Sequence, residues 1–422
     1  MKASIIPLLI ATLTLSCVPA SAGATIEVIQ DRESGLYDCG EIVTFSLRLL
    51  DADGNPMSGA LSYTLTLDGA EQFETGEVEV GAEAGSVTGT LDRPGVLRCR
   101  AWTTVDEERI TGFGGAAFDP EQIQPTATAP DDFDEWWAAQ RELLAAVPMD
   151  ARLEEREAPE GVAALYKVSL ANVDDQRVSG WLALPETQPA PAVITFTAAG
   201  VSGTSAGTAL SWAREGFVSM HIIHHNFDVE IDPDEAAALR DGDLRGYSHF
   251  GRASRDTYYF RPVILGCVRA IDLLTSRPEW DGEHLVATGS SQAGGLSLCL
   301  AGLDGRITAI AVNVPALCDH TGLHENRPSG WPRLIPADDP HGPVAQAAPY
   351  FDAVNFAGRF DGATWMAVGL IDRTCPAMTV YSAYNVLSGP KTMLVFPRMG
   401  HAIPAEYRTD RVEWAKRQVG LE

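Results

Sequence analysis

The stretch 286–303, VATGSSQAGGLSLCLAGL, runs from an apolar segment through two adjacent serines into a second apolar segment rich in small residues. It reads as a buried strand, a tight turn and a helix that begins at once. A nucleophile elbow needs that order, with small residues two before and two after the reacting serine so that the strained turn can close beneath its hydroxyl. Ser291 has Gly289 before it and Ala293 after it, with Gly294 next. Ser290 has Thr288 and Gln292 at those places, so Ser291 is the expected nucleophile and Ser290 a turn residue. The competing reading is a small-residue turn or an anion cradle at a helix start.

A serine hydroxyl reacts only when a histidine takes its proton and a carboxylate fixes the tautomer of that histidine. Downstream, WMAVGLIDRTCP (365–376) sets Asp372 after an apolar strand, and TMLVFPRMGHAIP (392–404) sets His401 after the next. The order Ser291, Asp372, His401 is that of an α/β-hydrolase, and all three fall at the carboxyl ends of strands, where sites of such sheets gather.

Residues 1–22 read as a secretory signal: Lys2, an apolar run too short to span a bilayer, then Ala20-Ser21-Ala22. Export to a secreted or periplasmic location is expected. The alternative is a lipoprotein anchored through Cys17, disfavoured because Thr14 stands where such boxes carry leucine. No other segment is long and apolar enough to be a transmembrane helix. From 23 to 118, alternating segments such as IVTFSLRLL and VLRCRAWTT, parted by Gly, Asp and Pro turns, predict a small all-β immunoglobulin-like sandwich. It holds no catalytic cluster and reads as a spacer rather than a binding module. A Pro/Thr/Ala-rich linker is expected over 119–130. From 131 to 422, apolar strands alternate with amphipathic helices, which predicts an α/β domain on a mostly parallel sheet. Its first helix is expected to start at Asp131 or Asp132 and to bury Phe133, Trp136, Trp137, Leu143 and Leu144.

The 57 acidic residues outnumber 31 basic ones, a formal charge of −26, which disfavours nucleic acid as a partner. Six cysteines follow the signal without a CxxC pair, so a structural zinc site is not expected, and triad chemistry needs no metal or cofactor. Cys39 and Cys99, alone in the N-terminal third, are a candidate disulfide in an exported chain.

These motifs together resemble the acetyl xylan esterase and cephalosporin C deacetylase family, carbohydrate esterase family seven. GSSQAG (289–294) is similar to its G-x-S-Q-G-G signature, GLIDRTCPAMTVYSAYNVLSGPK (369–391) to its acid segment, and FPRMGHAIP (396–404) to its histidine segment. DDFDEWWAAQRELLAAVP (131–148) resembles its opening helix and DTYYFRPVILGCVRAIDLLTSRPEWD (256–281) the helix before the elbow. The resemblance implies removal of small acyl groups, chiefly acetyl, from sugars, by Ser291 as nucleophile, His401 as base and then acid, and Asp372 as orienting carboxylate. It implies an oxyanion hole from the backbone N–H of Gln292 and of Ala199, no cofactor, an acetylated carbohydrate as substrate, and assembly into homo-oligomers.

Two departures stand out. The family's H-G-Y-like loop is FTAAGV (196–201) here, and its R-G-Q motif is replaced by SMHIIHHNFD (219–228). If the strand runs through His225, His221 and His225 share one face and His224 takes the other, which rules against one metal bound by all three. His224 and His225 are candidates for substrate contact, the other reading being that they fill the structure. Trp331, in the Pro-rich insertion 320–343, is expected to stack on a sugar, the insertion itself forming a lid or an oligomer contact. The leading expectation is therefore a secreted serine esterase acting on acetylated oligo- or polysaccharide. The alternatives are a serine peptidase or general carboxylesterase on the same fold, and a non-catalytic carbohydrate-binding protein.

Overall fold

The computed structural model describes residues 23–421. The expected signal segment and Cys17 lie outside the described residues. No helix among them is long and apolar enough to cross a membrane.

The N-terminal strands are β1 (Thr25–Gln30), β2 (Leu36–Tyr37), β3 (Val43–Leu50), β4 (Pro56–Met57), β5 (Gly59–Leu67), β6 (Gln72–Val80), β7 (Gly85–Gly89), β8 (Gly95–Val105) and β9 (Glu108–Phe118). One sheet runs β1-β3-β4 with β7 also on β3, and the other runs β2-β9-β8-β5-β6. Alternation decides the faces: Val43, Phe45, Leu47 and Leu49 are buried while Arg48 points to solvent. The sheets approach closely where β9 crosses β1, for a Cβ on Gly112 would stand 2.4 Å from the Ile26 carbonyl oxygen. Cys39 and Cys99 are free thiols. The expected disulfide is therefore set aside: Cys99 lies wholly inside the sandwich, whereas Cys39 lies in the turn after β2.

The segment 119–130 is not a loose tether. Asp319 accepts hydrogen bonds from the backbone N–H of Thr126 and Ala127, and Asn385 donates to the carbonyls of Pro120 and Ile123.

Beyond it lie β10 (Arg152–Arg156), β11 (Ala164–Ala171), β12 (Arg177–Leu184), β13 (Ala190–Phe196), β14 (Val218–Ile222), β15 (Trp280–Ser290), β16 (Ala309–Asn313), β17 (Ala363–Gly369) and β18 (Lys391–Phe396). The helices are α1 (Phe133–Ala146), α2 (Gly207–Arg214), α3 (Pro233–Asp241), α4 (Phe260–Ser276), α5 (Gln292–Leu303), α6 (Pro343–Ala347), α7 (Ala353–Ala357), α8 (Ala377–Val386) and α9 (Ala405–Gln418). The strands form one sheet in the order β10-β11-β12-β14-β13-β15-β16-β17-β18. It is a mixed sheet: β10, β11, β12 and β14 pair antiparallel, and the pairings from β14 through β18 are parallel. Central strands such as β13 are buried along their whole length, as covered parallel strands must be. Helix α1 buries Phe133, Trp136, Trp137 and Leu144 as expected, but Leu143 is 52% exposed. Asp132 stands at its N-cap position without capping it, because its carboxylate is taken by Arg255 and Tyr350.

Candidate active site

Strand β15 delivers the chain into the turn at Ser290 and Ser291, and α5 begins at the next residue. Ser291 sits at φ 58°, ψ −125°, a conformation costly for a side-chain-bearing residue and held only where its surroundings over-determine it. Two contacts do so. The Ser291 N–H donates to the Asn313 carbonyl at 3.0 Å, and its own carbonyl accepts from Gly295 and Ala316. A Cβ on Gly289 would lie 2.5 Å from the Ala293 Cβ, so glycine before the turn is what leaves room for alanine after it.

The three residues singled out from the sequence meet here. His401 Nε2 lies 2.8 Å from Ser291 Oγ, and His401 Nδ1 lies 2.8 Å from Asp372 Oδ2. The other oxygen of Asp372, Oδ1, accepts the N–H of Thr374 at 2.8 Å and of Cys375 at 3.0 Å. Asp372 is fully buried, whereas the His401 side chain is partly exposed. With Asp372 ionised, Nδ1 donates to it and Nε2 is left to accept the serine proton. The loop carrying His401 closes against Gly369, where a Cβ would stand 2.3 Å from the Met399 carbonyl oxygen.

Ser291 and His401 open onto a cavity of about 380 Å³, bordered also by Ala198, Ala199, Val314, Trp331, Thr374 and Ile403. Trp331 thus reaches the pocket from the 320–343 insertion. The N–H of Ala199 has no acceptor among the described residues, and that of Gln292, first in its helix, has none within α5. Asp372, Cys375 and His401 bring potential metal-ligand atoms within 4.8 Å of one another. Two of these three residues are already committed to the Asp372–His401–Ser291 hydrogen bonds, which leaves a cation little to bind.

His224 and His225 do not border this cavity. The expected substrate contact is corrected by burial: the chain leaves β14 at Ile222 and turns both side chains into the interior, away from the cavity. Their rings lie side by side, 4.1 Å between centroids, and are buried. His225 Nε2 donates to the Gly200 carbonyl at 2.8 Å, and Nδ1 accepts from the Tyr259 hydroxyl. Burial lowers the pKa of both imidazoles, His224 especially, which suits this neutral arrangement. His221 is held apart, between Thr195 and Thr204, its pKa lowered to about 4 by burial.

Residues not anticipated from the sequence complete the site. Tyr247 donates to Gln292 Oε1 at 2.7 Å and accepts the Gly200 N–H at 3.3 Å, and burial pushes its phenol up to about 12. It therefore links the two segments that carry the Gln292 and Ala199 N–H groups. Asn313 donates from Nδ2 both to Ser290 Oγ and to the Ala402 carbonyl, each at 2.9 Å, joining the elbow to the histidine loop. Replacing Tyr247 by phenylalanine is expected to lower kcat on p-nitrophenyl acetate about tenfold, since small displacements of catalytic groups cost up to about 100-fold. An unchanged kcat would show that the loop keeps its place without the phenol.

The fold and the elbow define an α/β-hydrolase. Residues 120–418 match the family model described as acetyl xylan esterase (AXE1), and the chain belongs to that family of carboxylic ester hydrolases. It is 30% identical over 375 residues to acetyl esterase Axe7A of Xylanibacter ruminicola, covering 87% of this chain and 84% of that one. That alignment is longer than the chain beyond position 119, so it extends into the sandwich. The acetyl xylan esterase of Paenibacillus sp. R4 superposes with a TM-score of 0.62 at 28% identity, over 71% of this chain and 98% of its own. Acetyl xylan esterase 1 of Thermoanaerobacterium sp. JW/SL YS485 shares the fold, with a TM-score of 0.59 at 22% identity over 71% and 97%.

Proposed function

We propose that this chain is an exported serine esterase that removes acetyl groups from acetylated oligo- or polysaccharides through an acyl-enzyme. The observation that carries the reading is the continuous hydrogen-bond chain Asp372–His401–Ser291 ending at the cavity. Ser291 Oγ attacks the acetyl carbonyl while His401 Nε2 takes its proton. The N–H groups of Gln292 and Ala199 stabilise the oxyanion, each such donor being worth about 100- to 1,000-fold in rate. The sugar hydroxyl leaves with the proton from His401, and water, deprotonated in turn by His401, releases acetate. The small side chains Ala198, Ala199 and Val314 suit a short acyl group, and Trp331 offers an aromatic face to the sugar. Residues 1–22 direct export, 23–118 form an immunoglobulin-like module, 119–130 connect it, and 131–422 carry the chemistry.

The test is acetate release from acetylated xylo-oligosaccharides, together with p-nitrophenyl esters of increasing chain length. Expected are release from the oligosaccharides and a preference for the acetate over longer acyl chains. Cleavage of aryl acetate without release from xylan fragments would move the substrate elsewhere. Preference for long chains or peptide bonds would point to a general carboxylesterase or a peptidase, and inactivity on every substrate would sink the reading.

A further inference from the structure

The loop that carries Asp372 lies against the outer face of the sandwich sheet. Four contacts follow in order along it. A Cβ on Gly115 of β9 would stand 2.7 Å from the Leu370 carbonyl oxygen. Arg98 of β8 donates to the backbone carbonyl of Asp372 at 2.6 Å. The Arg373 guanidinium lies 4.9 Å from the Phe113 ring centroid. Asp68, just after β5, accepts the Met378 N–H at 2.8 Å. Asp68 and Arg98 also form an ion pair, with side chains 0% and 5% exposed.

We propose that Asp68 and Arg98 are positioning residues for the catalytic acid, so that the sandwich is part of the active-site scaffold rather than a spacer. This rests on the esterase reading of Ser291, His401 and Asp372 given above. Helix α8 starts after Pro376 with no side-chain cap of its own. The Asp68 carboxylate supplies one from the other domain, where the helix N-terminus favours an anion. Arg98 fixes the peptide at Asp372 with a charged donor, the stronger kind of hydrogen bond. Between these two anchors lie the Thr374 and Cys375 N–H groups that hold Asp372 Oδ1. The loop is thus clamped on both sides of the groups that orient the acid. Pairing with Asp68 balances the Arg98 charge, so the donor is provided without an uncompensated cation beside the carboxylate that must stabilise the His401 imidazolium.

The experiment uses the full chain and p-nitrophenyl acetate, with kcat, KM and melting temperature measured for wild type, Arg98→Met, Arg98→Lys, Asp68→Asn and Leu47→Ala. Leu47 is a fully buried residue of β3 in the other sheet of the sandwich, and its truncation controls for loss of stability alone. Arg98→Met is expected to lower kcat about 10- to 100-fold with KM within about twofold, the scale of a misplaced catalytic group. Arg98→Lys is expected to restore most of the loss, and Asp68→Asn to lower kcat severalfold. Leu47→Ala is expected to melt earlier with kcat unchanged. Should Arg98→Met not fold, the Lys and Asn variants decide. Wild-type kcat in all folded Arg98 and Asp68 variants, or losses that merely follow melting temperature as in Leu47→Ala, would overturn the proposal while leaving the esterase reading intact. An inactive wild type would overturn both.

Discussion

Ser291→Ala is expected to abolish hydrolysis of p-nitrophenyl acetate, lowering kcat by about 10⁶-fold, the loss typical when the nucleophile of a triad is removed alone. The variant keeps the elbow, because alanine retains the Cβ that already occupies the φ 58° conformation and removes only Oγ. An organophosphonate probe is expected to label the wild type once, at Ser291, and not the variant. The neighbouring serine is the internal control. Ser290 Oγ is engaged by the Asn313 amide and does not contact His401, so Ser290→Ala keeps the hydrogen-bond chain and is expected to retain labelling and most of the activity. Label on Ser290, or activity surviving in Ser291→Ala, would overturn the assignment.

The elbow was legible because its signals are local. An apolar strand, Gly289, two serines and an immediate helix are adjacent in sequence, and a backbone conformation as demanding as that of Ser291 permits few residues around it. Asp372 and His401 were legible for a related reason, since each follows a strand that a parallel sheet must end on the same edge. What escaped depends on closure between distant parts. Tyr247 matters through Gln292, 45 residues on, and Asn313 through Ala402, 89 residues on. Nothing in the local sequence of either partner announces the pairing. The histidines were candidates for substrate contact by residue type alone, and nothing local to 221–225 distinguishes that role from filling the interior. The strand stops at Ile222, and the chain then turns His224 and His225 inward beneath the Gly200 loop.

The sandwich illustrates the same limit at domain scale. Its alternating pattern made strands legible but carried no sign of which outer face would be covered. Arg98 looks like any outward residue of β8 until the Asp372 carbonyl, 274 residues later, is found against it. Likewise, Pro-, Thr- and Ala-rich composition marked 119–130 as a linker without showing what it would pack against. The segment forms only a short 3-10 turn at Pro120–Gln122, and Asp319 and Asn385 satisfy other backbone groups along it.

Asp372→Asn is expected to lower kcat by about 10⁴-fold, about 5.5 kcal/mol of transition-state stabilisation, in a protein that folds normally. The two side chains have nearly the same shape, so the comparison isolates what the carboxylate does. The Thr374 and Cys375 N–H groups both point at Oδ1 and need an acceptor, so the amide oxygen must take that place. The amide NH₂ then faces His401 Nδ1, where Oδ2 stood at 2.8 Å. An NH₂ cannot accept a hydrogen bond, so Nδ1 must, which moves the imidazole proton to Nε2. In that tautomer Nε2 donates to Ser291 Oγ and cannot take its proton. Phosphonate labelling of Ser291 should slow in step with kcat, because both need the same proton transfer, while the melting temperature stays near that of wild type. A loss below about 100-fold would mean that His401 reaches the productive tautomer without Asp372. Asp372→Ala would be a poorer test: it leaves the Thr374 and Cys375 N–H groups without their acceptor, the latter buried, and any loss would mix tautomer control with collapse of the loop.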